Sequence, residues 1–257
     1  MASGESRNMN LSKSRFMAGL QCLKRLYLQV HEPDLAVELD ETSLAVIEQG
    51  QEVGRLAQKM FPGGVRIEAG HEELDKALAL TAQVMAKGQV PALFEATFQH
   101  DHVLVRTDIL ERHATGKWRL IEVKSATDIK DRYVYDVAIQ RLVLEGCGFK
   151  VVPCLMHLNR EYVYDGKQYE LGTLFQIRDL TDEIAALTKD VRELIREQRR
   201  MLAQAQPPDI EPGRQCSNPF TCEFYDHCNK PFPEDHITNL LGLSSQKFQK
   251  RKIWGSS

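Results

Sequence analysis

Three β-rich runs in succession restrict the fold of this chain more than anything else in it. "ALFEATFQH" (92–100), "HVLVRTDILER" (102–112) and "WRLIEVKSAT" (118–127) are separated only by short polar or glycine-containing turns, the pattern of a meander. A helical stretch follows, "DRYVYDVAIQRLVLE", which Gly146 ends. After it comes "FKVVPCLMHLN", a mostly apolar run suited to a buried strand. The order β-β-β-α-β predicts one α/β domain with helical arms before and after it.

The flanking helices are legible from their apolar period. "LSKSRFMAGLQCLKRLYLQ" predicts one amphipathic helix with Ser12 as its cap and Phe16, Leu20, Leu23, Leu26 and Tyr27 on its buried side. "ETSLAVIEQGQEVGRLAQKMF" predicts a second, stopped at Pro62–Gly64, and residues 71–87 a third. A long helix starts at Thr181 and is stopped by the Pro-Pro pair at 207–208. The expected organisation is a single domain over 1–238. It comprises a helical arm at 1–90, a core at 91–180, and a long helix with a cysteine segment at 181–238, followed by a basic tail at 239–257.

Composition narrows the class. The 257 residues are 42% hydrophobic and 27% charged with a net charge of −3, and no apolar run approaches the roughly 20 residues that span a bilayer. The first residues, "MASGESRNMNLSKSRF", carry no apolar leader, so a cytoplasmic, reducing setting is expected. There, clustered cysteines bind metal more often than they form disulfides. The near-neutral charge argues against broad coating of nucleic acid but leaves room for a local basic groove. Lys13, Arg15, Lys24 and Arg25 form one basic cluster, and the stretch from Lys124 to Arg132, with Lys130, forms another. The tail sequence "QKFQKRK" forms a third.

The candidate chemistry lies on the second and third runs. Residues two apart on a strand share a face, so Glu122 and Lys124 point together while Ile121 and Val123 face the core. A hairpin brings Asp108 of the preceding run beside Glu122. Paired carboxylates repel unless a cation sits between them, and hard oxygen donors suit Mg²⁺ or Mn²⁺. A neighbouring lysine is then placed to assist a water or neutralise charge on a phosphate. Taken alone, Glu-x-Lys equally suits an exposed strand carrying an i,i+2 ion pair.

Asp108, then "IEVK" ending at Lys124, then "DVAIQRLVLEG" together resemble the PD-(D/E)xK nuclease superfamily, with its restriction-endonuclease-like core, a mixed sheet flanked by helices. Within it the chain is similar to the RecB-like exonucleases that carry an iron–sulfur cluster, including the CRISPR-associated ones and the nuclease domain of AddB. The resemblance runs from "LSKSRF" to "CEFYDHC". It implies that Asp108 and Glu122 bind the metal, with Lys124 and Gln140 completing the catalytic set and Glu95 nearby on the first strand. Two positions depart from the family pattern. Gly54 stands where many relatives have a histidine ligand, leaving Glu52 or Glu48 of the same helix as substitutes, and Leu144 stands where tyrosine is frequent.

The same resemblance gives the cysteines a role. Cys216, Cys222 and Cys228 are spaced evenly, and Cys22 matches the N-terminal cysteine of such nucleases. The four are thereby expected to hold a structural [4Fe–4S] cluster that clamps the C-terminal segment to the first helix. Zinc also takes four thiolates, but typically from closer pairs. Cys147 and Cys154 read as buried free cysteines, His157 and His227 as packing or hydrogen-bonding residues, and His100 and His102 as part of a hairpin turn. Phe220, Phe224 and Tyr225 suit either base stacking or packing around the cluster.

The implied activity is a metal-dependent DNA nuclease, an exonuclease on single strands or ends. No helicase motif is present, so unwinding would come from another DNA-processing protein, and no membrane partner is expected. The alternative is a DNA-binding or scaffold subunit whose nuclease site has decayed.

Overall fold

A two-residue turn sets the first hairpin. Asp101 and His102 have φ of 45° and 61°, as a tight hairpin loop between right-twisted strands requires. They join β3 (Ala92–His100) to β4 (Val103–Arg112), which pairs antiparallel with β5 (Trp118–Lys124). The meander expected from the sequence is therefore present, and "QHDHV" is its turn. The computed structural model describes residues 10–38, 40–70, 72–88, 90–113 and 116–230; the basic tail at 239–257 lies outside them.

The described residues fall into two compact units, one within 10–17 and 40–197, the other within 18–38 and 198–230. The first holds a seven-stranded mixed sheet in the order β2-β3-β4-β5-β6-β7, where β2 is Val65–Arg66, β6 Val151–Leu158 and β7 Phe175–Asp179. β6 runs parallel to β5, and β7 antiparallel to β6. β1 (Leu11–Ser12) joins β4 off this path. The sequence reading missed β7, and also β1 and β2, whose two residues each are too short to show a two-residue period.

Helices cover the sheet as expected. α3 (Glu41–Gln58) is capped by Asp40, whose side chain accepts the Ser43 N–H at 2.8 Å. Its Val53 and Ala57 pack with Phe94, Ile109, Ile121, Cys154 and Met156 in the main apolar core. α4 (Leu74–Ala86) packs on β3. α5 (Asp131–Gly146) lies against β3 to β6 and buries Val137, Ile139, Val143 and Leu144 together with two polar residues, Asp136 and Gln140. Helix α5 ends at a glycine for a steric reason: a Cβ on Gly146 would come within 2.1 Å of the His100 ring.

The helix expected over 11–29 is two helices, α1 (Lys13–Gln21) and α2 (Leu23–His31). Cys22 breaks them with an extended backbone, φ −164° and ψ 124°. Ser12 still serves as a cap, accepting the Arg15 N–H at 3.2 Å. A four-residue helix, α6 (Leu171–Leu174), precedes β7, and the long helix is α7 (Thr181–Leu202). α8 (Tyr225–Asn229) is the last described element. Among the described residues no helix is long and apolar enough to cross a membrane.

Candidate active site and cysteine cavity

Strand register brings three carboxylates into one row. β3 pairs with β4 as Phe94↔Ile109 and Ala96↔Thr107, so Glu95 lies across from Asp108. β4 pairs with β5 as Ile109↔Ile121, and the next step along would set Asp108 against Glu122. The ladder stops one step short. Asp108 Oδ2 instead accepts the Val123 N–H at 2.7 Å, a side chain replacing a strand carbonyl. Glu95 also leaves regular geometry, with φ +57°, a left-handed conformation that a non-glycine residue rarely adopts.

The interruption follows from how β4 is shared. β3 runs along one edge of β4, while the other edge is divided between β1, at Val103 and Leu104, and β5, at Ile109 to Arg112. Asp108 sits in the gap. Lys13, the residue after β1, enters the same gap and places its Nζ 3.0 Å from each carboxylate oxygen of Glu122.

Alternation on β5 sends Ile121 into the core with α3 and turns Glu122 and Lys124 toward α5. Glu122 is only 2% exposed. Besides Lys13, it accepts from Lys124 Nζ at 2.6 Å and from Gln140 Nε2 at 2.7 Å. Asp136, one turn before Gln140 on α5, accepts from Lys124 Nζ at 2.5 Å and lies 3.5 Å from Lys13 Nζ. Bonding to the Glu122 carboxylate fixes the Gln140 amide, so its carbonyl Oε1 is left buried with no hydrogen-bond partner.

These contacts set the charges. Burial alone would raise the Glu122 carboxyl, but Lys124, Lys13 and the Gln140 hydrogen bond hold it well below the usual carboxylate range. Asp108 is pushed up to about 7 by burial and by the Glu122 charge, which the two lysines only partly offset. Burial and Glu122 raise Asp136 as well. Burial opposes both lysine charges, yet the carboxylates outweigh it and keep both ammonium groups above the ordinary lysine value.

The row opens into a cleft of about 880 Å³. Glu95, Asp108, Glu122 and Lys124 line it, with Gly50, Gly54 and Arg55 of α3 opposite and Arg66 and Arg106 at its sides. Arg66 lies 3.9 Å from Glu95. A Cβ on Gly54 would meet nothing within 4 Å, so this glycine serves no close packing. Glu52 is not part of the lining; it is exposed and paired with Arg55 at 2.7 Å. Among the described residues, no group of three or more His, Cys, Asp or Glu side chains is gathered in a way that could hold a metal ion. In chemistry the carboxylate oxygens of half-buried Asp108 and buried Glu122, with Glu95 beside them, are the donor type that a hard divalent cation takes.

The remaining basic candidates are scattered. Arg15 is half-buried and donates to the Asn10 carbonyl at 3.0 Å, and Lys130 is exposed just before α5. The Arg132 guanidinium lies over the Tyr133 ring at 4.8 Å. Lys24 and Arg25 belong to the second unit, beside the cysteines. Sequence reasoning did not single out Asp136, although its i−4 spacing from Gln140 puts both on one helix face, and it assigned Lys13 to a basic surface.

In the second unit Cys22, Cys216, Cys222 and Cys228, all free thiols, line one cavity of about 10 Å³ together with Lys24, Arg25, Phe224 and Tyr225. Burial raises the Cys216 and Cys228 thiols and pushes Cys222 up to about 11. Thiols are the donor type that zinc and iron–sulfur clusters take, but no three of these four are gathered closely enough here to hold a metal ion. Glu223 fastens the segment: its carboxylate accepts from Arg25 at 2.9 Å and Gln29 at 2.6 Å, and its carbonyl accepts the Val37 N–H at 2.9 Å. Gln21 adds bonds to the carbonyls of Gln215 and Phe220 at 2.7 and 2.8 Å. Phe224, 1% exposed, packs inside, while Phe220 is exposed. Cys154 is buried as expected, but Cys147 is exposed at the end of α5. His157 is buried, with Nδ1 3.0 Å from the Leu158 carbonyl.

No protein-family model matches this chain, and no curated protein does. Two solved structures align along most of its length. The crystal structure of SSO0001 is 14% identical, with 87% of each chain covered and a TM-score of 0.36. The crystal structure of LHK-Exo in complex with dAMP is 14% identical, covering 76% of this chain and 91% of that one, with a TM-score of 0.41.

Proposed function

We propose that the protein is a metal-dependent nuclease of PD-(D/E)xK type, cleaving phosphodiesters of DNA, and that its four clustered cysteines carry a structural [4Fe–4S] group. One observation carries the reading: the row Glu95–Asp108–Glu122, set where the ladder is interrupted, opens on a cleft and is completed by Lys124 and Gln140. An exposed strand with a Glu/Lys pair would not bury its glutamate.

Asp108 and Glu122, with Glu95, would hold Mg²⁺ or Mn²⁺. Such an ion supplies Lewis-acid stabilisation of the phosphoryl oxygens and lowers the pKa of a bound water. Lys124 keeps Glu122 ionised and sets a cation beside the phosphate, where negative charge grows during attack. Gln140 holds Glu122 in place through its Nε2. Digestion of single- and double-stranded DNA with Mn²⁺ present, compared with Asp108→Ala, tests this reading; wild-type protein inert on every substrate would sink it.

A second reading, a DNA-binding subunit without catalysis, is favoured by Gly54, which offers no ligand to the cleft, and by the lack of a gathered three-ligand group among the described residues. The same digestion decides between the two.

A further inference from the structure

The first strand delivers a second ammonium group to the row, and charge balance assigns it a task. Three carboxylates, buried Glu122 and Asp136 with half-buried Asp108 beside them, face two ammonium groups, Lys13 and Lys124. Lys13 comes from a position 109 residues before Glu122 and bonds both of its oxygens at 3.0 Å, with its own side chain 22% exposed. Fully ionised, this group carries one net negative charge. A divalent cation entering it leaves one net positive charge, and a single phosphodiester returns it to neutrality. Uncompensated charge in a buried site is costly, so the cation alone is disfavoured where the cation and a phosphodiester together are not. Glu95 and Arg66 lie 3.9 Å apart and offset each other.

We infer that Lys13 makes cation binding at this site depend on a phosphodiester: it is the internal counter-ion that holds metal affinity low until a nucleic-acid strand supplies the last negative charge. The inference rests on the nuclease reading and adds to it a positioning residue and an order of binding. Coupling between two ligands is reciprocal, so the cation in turn tightens the strand. Replacing Lys13 by a neutral residue leaves two net negative charges, which a divalent cation matches without help.

Calorimetric Mn²⁺ titration of the full chain tests this without any turnover, using a phosphorothioate-linked oligothymidylate as a charged strand that resists cleavage and a methylphosphonate oligothymidylate as an uncharged one. For wild type, the charged strand should tighten Mn²⁺ by roughly 5- to 150-fold, the usual range of site–site coupling, and the uncharged strand should not. Lys13→Met and the hydrogen-bonding Lys13→Gln should bind Mn²⁺ alone more tightly than wild type by a similar factor, with the coupling to the charged strand largely gone. Variants that bind Mn²⁺ alone no better than wild type would overturn the inference, as would a wild type whose Mn²⁺ affinity ignores the charged strand. The wild-type measurement needs no variant to fold. Absence of Mn²⁺ binding by wild type and variants alike, with or without either strand, is a different pattern and would overturn the nuclease reading itself.

Discussion

The carboxylate of Asp108 accepts the backbone N–H of Val123 at 2.7 Å, the place where β4 and β5 would otherwise have continued their ladder. One oxygen is thus fixed by the sheet while the side chain remains part of the cleft wall. Asp108→Ala is expected to abolish cleavage and weaken Mn²⁺ binding while the protein stays folded. Circular dichroism beside the nuclease assay checks both; a fully active Asp108→Ala protein would remove the site from consideration.

Asp108 also predicts how stability depends on pH in metal-free protein. Its carboxyl is raised from 3.8 to about 7 by burial and by Glu122. Between those values the folded state binds more protons at this group than the unfolded state does, so its contribution is present at low pH and lost as pH rises through about 7. In EDTA, the melting temperature of wild type should fall from pH 5.5 to pH 8 more than that of Asp108→Asn. Mn²⁺ should reverse the order, stabilising wild type most at pH 8. Parallel pH profiles for the two proteins would contradict the assignment.

Lys124→Ala should lower cleavage by roughly 10²-fold or more, as when a positioned catalytic group is lost. DNA binding should be largely retained, because the Lys124 charge is already paired with Glu122 and Asp136. Filter binding and single-turnover cleavage on the same preparation separate the two effects.

Gly54→His is predicted to fold normally. Nothing lies within 4 Å of a Cβ at this position, and glycine in a helix interior costs about 1 kcal/mol relative to alanine, so the melting temperature should hold or rise. With an imidazole now facing the cleft, Mn²⁺ affinity should increase. A drop in melting temperature would show that the helix tolerates only a bare backbone there.

Cys22→Ser tests the cysteine cavity. Anaerobically purified wild type should be brown, with about four irons per chain, and Cys22→Ser should lose most of them. Full iron retention would exclude Cys22 as a ligand, and stoichiometric zinc from iron-replete anaerobic cultures would favour the zinc alternative.

The parts of this site legible in the sequence are those that follow from local periodicity. Glu122 and Lys124 share a face because a strand alternates, and Asp108 reaches them because β4 and β5 pair as the next antiparallel step of the meander. Lys13 was not legible as a site residue because its position depends on β1, a two-residue strand with no pattern to read. Asp136 was hidden because α5 is buried on most of its circumference, so its polar residues do not fall on a separate face. The break at Cys22 went unseen because the apolar period of "LQCLKRLYL" continues through it, although the backbone there is extended. β7 escaped notice because its five residues follow a loop and carry a weak alternation.

Among the described residues, the second unit is assembled from two stretches of chain, 18–38 and 198–230, with all of 40–197 between them. On a ribosome, α2 emerges early and waits: Glu223, which accepts from Arg25 and Gln29, arrives only after every strand of the sheet has been made. Closing so long a loop is entropically costly, so this unit is expected to form last in synthesis. Until then Cys22 stays a solitary thiol, and any metal that needs all four sulfurs can be loaded only onto a nearly finished polypeptide. If the four cysteines hold an inorganic group as proposed, its insertion would then act as a late check, separating chains that reach residue 228 from those that stopped short of it.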